Sequence, residues 1–306
     1  MTTRRNFIRT SAKALTTMIV SSLPAFAATE EETAIDAHAH VFTNHLHIAR
    51  FHRYIPRESA PVEEFLALLD QFHFTGGVNI QPSFLGTDDS YLLSCLRKHP
   101  HRLRGVIVID PKTGLETIEH HRHAGCTGIR LNLFGLPDPP LADPEWARIL
   151  VRMKEIGWHV ELHVEARRIH EIAPPILHAG VRLVVDHFGR PDPRLGTADP
   201  GFQYLLSLAS TRQVWVKTSA FYRTGGPVHG AQFALATLPM LKHNFGLDRM
   251  LWGSDWPHTQ FENVMNYQKA YNFMLKMYPD PAERRIVLGS TPEHLYGFPA
   301  RMTAND

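Results

Sequence analysis

Two histidines separated by one residue, His38 and His40, sit in the run Ala34-Ile35-Asp36-Ala37-His38-Ala39-His40-Val41-Phe42. The run is short and apolar, as a buried strand is. Alternate residues of a strand share a face, so the two imidazoles point the same way, with Cβ atoms roughly 7 Å apart. Asp36 joins them on that face by the same period. Two imidazoles converging at a strand end are half of a metal site or half of a proton-transfer site. With 20 histidines in the chain, a pair on a surface strand is the plain alternative, so the other half of the site must be sought elsewhere.

That half has clear candidates. His163 ends Trp158-His159-Val160-Glu161-Leu162-His163-Val164, His187 ends Val184-Val185-Asp186-His187, and Asp255 follows Trp252-Gly253-Ser254. A carboxylate beside imidazoles can take a proton from water while the imidazoles, or an ion they hold, polarise a carbonyl. Arg130, Arg190 and Arg223 follow further apolar runs, and a guanidinium fork matches a carboxylate. Taken singly, each arginine is equally a solvated surface charge. Ser83 and Asn132 add neutral polar groups at two more run ends.

The elements that would position these groups alternate. Strand-like runs fall at 34–42, 76–80, 104–109, 127–133, 158–164, 181–186, 214–218 and 249–253. Helical periodicity falls between them, at 61–72, 88–98, 113–124, 143–156, 169–179, 203–210 and 228–245, and two more helices close the chain. Eight strand–helix units predict an α/β fold with a parallel sheet, closed as a (β/α)8 TIM barrel. No GxGxxG follows the first strand to favour an open doubly wound sheet. In a barrel every polar group above lies at a strand's C-terminal end, so all converge on one mouth. Chance places one or two there; five is hard to ascribe to surface composition.

Composition agrees with one soluble domain. The chain has 306 residues, 43% apolar and 20% charged, and a net charge of +2, which argues for neither nucleic acid nor a membrane surface as partner. Cys95 and Cys126 are the only cysteines and form no CxxC pair, so the sequence leaves their pairing open.

The ordered set resembles the amidohydrolase superfamily. Asp186-His187-Phe188-Gly189-Arg190-Pro191, Trp215-Val216-Lys217-Thr218-Ser219-Ala220-Phe221-Tyr222-Arg223, Trp252-Gly253-Ser254-Asp255-Trp256-Pro257-His258 and the ending Gly289 to Phe298 are similar to its lactonase branch, which includes pyrone-dicarboxylate and sugar lactonases. The similarity spans about 34–298. It implies a barrel of the metal-dependent-hydrolase type and hydrolysis of a lactone ring in a carboxylated small molecule, 2-pyrone-4,6-dicarboxylate-like or a sugar lactone. Asp255 would be the general base, and His38, His40 and His187 would polarise the carbonyl directly or through a metal. Tyr54, Ser83, Arg130, His163, Arg190 and Arg223 would contact an anionic substrate. One divalent metal, zinc, would sit on His38, His40, His163 and Asp255. The branch also works without metal, and both readings stay open.

Two departures matter. His163 stands where the branch's pyrone-dicarboxylate members carry tyrosine, and Leu133-Phe134-Gly135-Leu136 lacks the second arginine those enzymes carry after the fourth strand. The runner-up activities are metal-dependent decarboxylation of an aromatic acid and non-catalytic periplasmic binding of a small molecule.

The N-terminus reads as an address. Thr3-Arg4-Arg5-Asn6-Phe7-Ile8-Arg9 resembles a twin-arginine export motif, a weakly apolar run follows, and Ala25-Phe26-Ala27 offers a cleavage site. Residues 1–27 are therefore expected to be a signal peptide read by the twin-arginine machinery, and residues 28–306 a periplasmic barrel domain. The apolar run is too short to anchor it in a membrane afterwards.

Overall fold

Each strand forms where an apolar run precedes a turn, and the eight run in sequence order: β1 Ile35–Ala39, β2 Gly76–Ile80, β3 Leu103–Ile107, β4 Cys126–Asn132, β5 His159–His163, β6 Arg182–Val185, β7 Val214–Lys217 and β8 Met250–Leu251. A computed structural model describes residues 33–298 apart from 44, 46 and 51. The expected export segment, residues 1–27, lies outside the described residues. Successive strands pair in parallel from β1 through β8. The chain after β8 closes the sheet on β1, with Ala37 N donating to Trp252 O at 3.0 Å, Asp255 N to His38 O at 2.8 Å and His40 N to Trp256 O at 2.8 Å. The result is the expected (β/α)8 barrel.

Among the described residues ten α-helices accompany the strands: α1 Val62–Gln71, α2 Ser90–Lys98, α3 Leu115–His123, α4 Pro144–Glu155, α5 Ile169–His178, α6 Pro200–Ser207, α7 Gly226–Phe245, α8 Tyr267–Met277, α9 Pro281–Arg284 and α10 Thr291–Tyr296. α6 starts three residues before the position expected from periodicity. Asp199 Oδ1 accepts from Gly201 N at 2.7 Å and Phe202 N at 3.0 Å, and Pro200 takes the first helical position, where its missing N–H costs nothing. The second expected C-terminal helix is divided, since a wider turn at Arg285–Ser290 separates α9 from α10. Among the described residues no helix is long and apolar enough to cross a membrane. Cys95 and Cys126 are buried and free, and burial pushes both thiols up.

Two apolar layers result. Phe65, Leu69, Leu92, Ile149 and Ile172 pack the helices onto the outside of the sheet. Inside, Ile35, Ala37, Val78, Ile80, Val106, Val184, Trp215 and Leu251 meet Leu295 and Tyr296 of α10. The interior above these residues is polar.

β1 departs from simple alternation, and the departure positions the site. Its register against β2 runs Ile35↔Gly76, Asp36↔Gly77, then Ala39↔Asn79, so a bulge falls at Ala37 and His38. Ala37 belongs to the inner apolar cluster and His38 also lies inside, against β5 and β7. The expectation that Asp36 shares the histidines' face is therefore wrong: the bulge reverses the alternation between them. Asp36 instead accepts from Ser254 N at 2.9 Å, His38 N at 3.2 Å and Tyr267 Oη of α8 at 3.0 Å. It ties the start of the Asp255 loop to β1.

That join leaves no spare room. A Cβ on Gly253 would lie 2.4 Å from His38 Cβ and 2.5 Å from His38 N. Gly253→Ala should cost about 2–3 kcal/mol of stability by overpacking against backbone. It should also displace His38. Urea unfolding and activity of the variant, measured together, check both; a wild-type midpoint would show that β1 and β8 can separate freely here.

Candidate active site

Below the barrel mouth lies a layer of buried charge. Glu161 on β5, Asp186 after β6 and Asp255 after β8 are all 1% exposed or less. Each meets a cation. Lys217 of β7 hydrogen-bonds Glu161, Arg130 Nη2 of β4 donates to Asp186 Oδ2 at 2.9 Å, and Arg223 Nε donates to Asp255 Oδ2 at 2.7 Å. Burial alone would raise both aspartates. For Asp186 the neighbouring His38 and Arg130 overcome it, and for Asp255 it is Arg223 with the imidazoles, so both carboxyls sit well below the usual range. Tyr222 Oη donates to the same Asp255 oxygen at 2.5 Å and lies 3.0 Å from His258 Nδ1. Asp255 Oδ2 is thus fully engaged, while Oδ1 has no hydrogen-bond partner.

The imidazoles surround that free oxygen. His40 Nδ1 lies 2.8 Å from Ile80 O and must donate there, which leaves Nε2 as a bare acceptor 3.4 Å from Asp255 Oδ1. Burial holds His40 near a pKa of about 4, so it is neutral at pH 7. Two acceptors facing each other at that distance repel unless a proton, a water or a cation lies between them. His38 Nε2 is 3.7 Å from the same oxygen and also unpartnered, while its Nδ1 meets Lys217 Nζ at 3.1 Å and Glu161 Oε1 at 3.3 Å. His187 Nδ1 lies 2.8 Å from Ser219 Oγ. Nitrogens of His38 and His187 and an oxygen of Asp255 lie within 4.8 Å of one another. This set of two imidazoles and a carboxylate fits a divalent metal. His163 is outside that trio. Its Nδ1 donates to Asn132 Oδ1 at 3.1 Å and its ring stacks on Phe134, leaving Nε2 buried and bare.

The sequence-expected residues do come together. A cavity of about 200 Å³ is lined by His40, His163, His187, Asp255, Arg130, Arg190, Arg223, Tyr54 and Ser83. His38 lies just beneath, with its ring 5.0 Å from His40 and 4.8 Å from His187. Arg130 and Arg223 were expected to hold substrate; each also neutralises a buried carboxylate. Tyr54 Oη bonds Thr259 Oγ1 at 3.0 Å. Reasoning from strand ends passed over four groups. Lys217 and Glu161 were legible as inward positions of β7 and β5, and Tyr222 stood inside a quoted motif. Arg53 carried no signal, being in a loop.

The loops holding these groups are strained. His187, Phe188, Arg190, Ala220, Asp255, His258 and Gln260 all have φ between 48° and 72°. Non-glycine residues persist there only where surrounding contacts over-determine the backbone.

A parallel barrel whose strand-end histidines and aspartate converge on a cavity rimmed by arginines defines a hydrolase of the amidohydrolase type. The chain belongs to the amidohydrolase family, whose sequence pattern matches residues 35–298. It is 28% identical over 276 residues to the 4-sulfomuconolactone hydrolase of Hydrogenophaga intermedia, covering 87% of this chain and 89% of that protein. It is 28% identical over 275 residues to the 2-pyrone-4,6-dicarboxylate hydrolase of Comamonas testosteroni, covering 86% and 90%. The crystal structure of a probable 2-pyrone-4,6-dicarboxylic acid hydrolase from Acinetobacter baumannii, with citric acid bound, superposes with a TM-score of 0.85 at 37% identity, covering 87% of this chain and all of that one.

Burial of neutral histidines sets a pH signature. His40 and His258 are lowered from 6.5 to about 4, chiefly by desolvation. Between those values the unfolded chain binds protons that the folded chain does not, so stability falls as pH drops from 6.5 to 4, by about 1.4 kcal/mol per pH unit and group. Tm measured from pH 7 to pH 4.5 should decline, and His258→Gln should flatten the slope. An unchanged slope in the variant would place the His258 proton elsewhere.

Proposed function

We propose that this protein hydrolyses the lactone ring of an anionic, carboxylated small molecule. The observation that carries the reading is the free Oδ1 of Asp255, ringed by imidazole nitrogens at the base of a cavity with a guanidinium rim. Asp255, ionised at neutral pH, accepts a proton from water through Oδ1 while Arg223 and Tyr222 hold Oδ2 in place. The water oxygen bonds to the ring carbonyl carbon, and the charge that develops on the carbonyl oxygen meets the imidazole side of the cavity. The ring C–O bond then breaks, and Asp255 returns the proton to the leaving oxygen. The product is an open-chain acid with one carboxylate more than the substrate. The citric acid held by the Acinetobacter relative supports a polyanionic ligand class.

We also propose a single divalent ion, zinc, held by His38, His187 and Asp255 with His40 beside them. When bound it would polarise the carbonyl and acidify water. His163, with its bare Nε2, is then left to accept a hydrogen bond from substrate.

The barrel is further proposed to work in the periplasm after twin-arginine export, on the strength of Arg4-Arg5 and Ala25-Phe26-Ala27.

A pH-stat assay with 2-pyrone-4,6-dicarboxylate and an aldonolactone, run with CO₂ detection, tests the chemistry. Acid release without CO₂ is expected, and Asp255→Asn should lower turnover about 100-fold or more with the fold intact. Evolution of CO₂ would make the protein a decarboxylase, and binding without turnover a binding protein. Metal analysis of the same enzyme should find one zinc per chain, with activity lost on chelation. Full activity after chelation would leave carbonyl polarisation to the imidazoles alone. Arg4→Lys with Arg5→Lys should abolish periplasmic accumulation; normal export would refute the address.

A further inference from the structure

The arginines of the mouth divide into two kinds. Arg130 and Arg223 each lie within 3 Å of a carboxylate oxygen, so their charge is spent inside the protein. Among the described residues Arg53 and Arg190 have no carboxylate within ion-pair reach. Arg190 donates to the carbonyl of Arg223 and keeps a buried, unpartnered Nε. Arg53 donates only to neutral oxygens: Asn132 Oδ1 at 3.0 Å, Phe134 O at 3.3 Å and Ser83 Oγ at 3.4 Å.

These two cations share one platform. The guanidinium carbon of Arg190 lies 4.3 Å from the centre of the Phe134 ring and that of Arg53 lies 6.0 Å from it. They also repel. Desolvation, with Arg223 and Arg53 nearby, lowers Arg190 to about 9 against the opposing pull of Asp255 and Glu165, and desolvation, with Arg130 and Arg223 nearby, lowers Arg53 to about 10 against Tyr54 and Glu165, although Arg53 as a residue is exposed at the rim. Like charges held close together favour a ligand that brings the opposite charge.

We infer that Arg53, from the loop between β1 and α1, is a specificity-determining residue that binds a second, remote anionic group of the substrate together with Arg190. This rests on the lactonase reading for its substrate and extends it to a residue outside every strand end. Arg53 reaches the segment Asn132–Phe134 from 79 and 81 residues away in sequence, and thereby puts a cation beside the loop after β4, which has none of its own. Its hydrogen bonds to Asn132 and Phe134 aim the fork and use neutral acceptors, so the charge stays available. Carboxylate and sulfonate groups both offer the paired oxygens such a fork takes.

The test compares wild type, Arg53→Gln and Arg53→Lys on a dicarboxylated lactone, a sulfonated carboxylated lactone and the monocarboxylated lactone lacking the remote group. Arg53→Gln should raise KM for the doubly charged substrates about tenfold or more, change kcat little, and leave KM for the monoanion unaltered. Arg53→Lys, keeping charge without the fork, should fall between. A rise confined to one doubly charged lactone identifies the natural group as that one. Equal effects on mono- and dianion, or none, would overturn the inference. Calorimetric titration with citrate and with acetate reads it independently of turnover: Arg53→Gln should weaken citrate binding about tenfold and leave acetate unchanged. If wild type hydrolyses no lactone yet shows this citrate difference, the reaction assignment fails and Arg53 stands. If lactones turn over and citrate binds both proteins alike, Arg53 falls.

Discussion

Three buried carboxylates beneath the barrel mouth, matched in number by three cations, are the constraint on which the rest of this structure depends. Asp186 with Arg130, Glu161 with Lys217 and Asp255 with Arg223 come from five different strands or strand ends. A buried ion pair contributes little net stability, but removing one partner strands the other charge in a medium that cannot solvate it. Each pair therefore locks two strands in mutual register, and the histidines are held between them. His38 in particular is fixed by Lys217 and Glu161 on one nitrogen and turns the other to Asp255.

The network also explains why the chemistry is confined to a single oxygen. Arg223 and Tyr222 occupy Asp255 Oδ2, and His258 backs Tyr222 from behind. What is left is Oδ1, facing His40 Nε2, which carries no proton to offer it. A site that must accept a proton from water and later return it needs such an acceptor, free but fixed. The positive φ values at His187, Arg190 and Asp255 fit this account, because strain at strand ends is sustained by the hydrogen bonds and ion pairs just named.

Apolar packing carries the remaining load. Tyr296 and Leu295 of the last helix close the barrel floor, and the Tyr296 ring lies 5.8 Å from Lys217 Nζ. Charge above and hydrocarbon below divide the interior into a floor that holds shape and a mouth that holds ligand. The rim arginines belong to the second part.

Much of this was legible in the chain alone. Strand and helix alternation follows from local periodicity, so the barrel and the convergence of His38, His40, His163, His187 and Asp255 on its mouth could be read without coordinates. Other features needed tertiary structure. The bulge at Ala37–His38 arises from pairing with β2 and closure on β8, and it turned Asp36 away from a face that simple alternation assigns to it. Which imidazole nitrogens are free depends on carbonyls and amides distant in sequence, such as Ile80 and Asn132. Arg53 sits in a loop with no periodicity, and its place at the mouth is set by partners 79 and 81 residues away. Local order dictates which face a side chain takes along a regular strand; only closure of the barrel decides what that face meets.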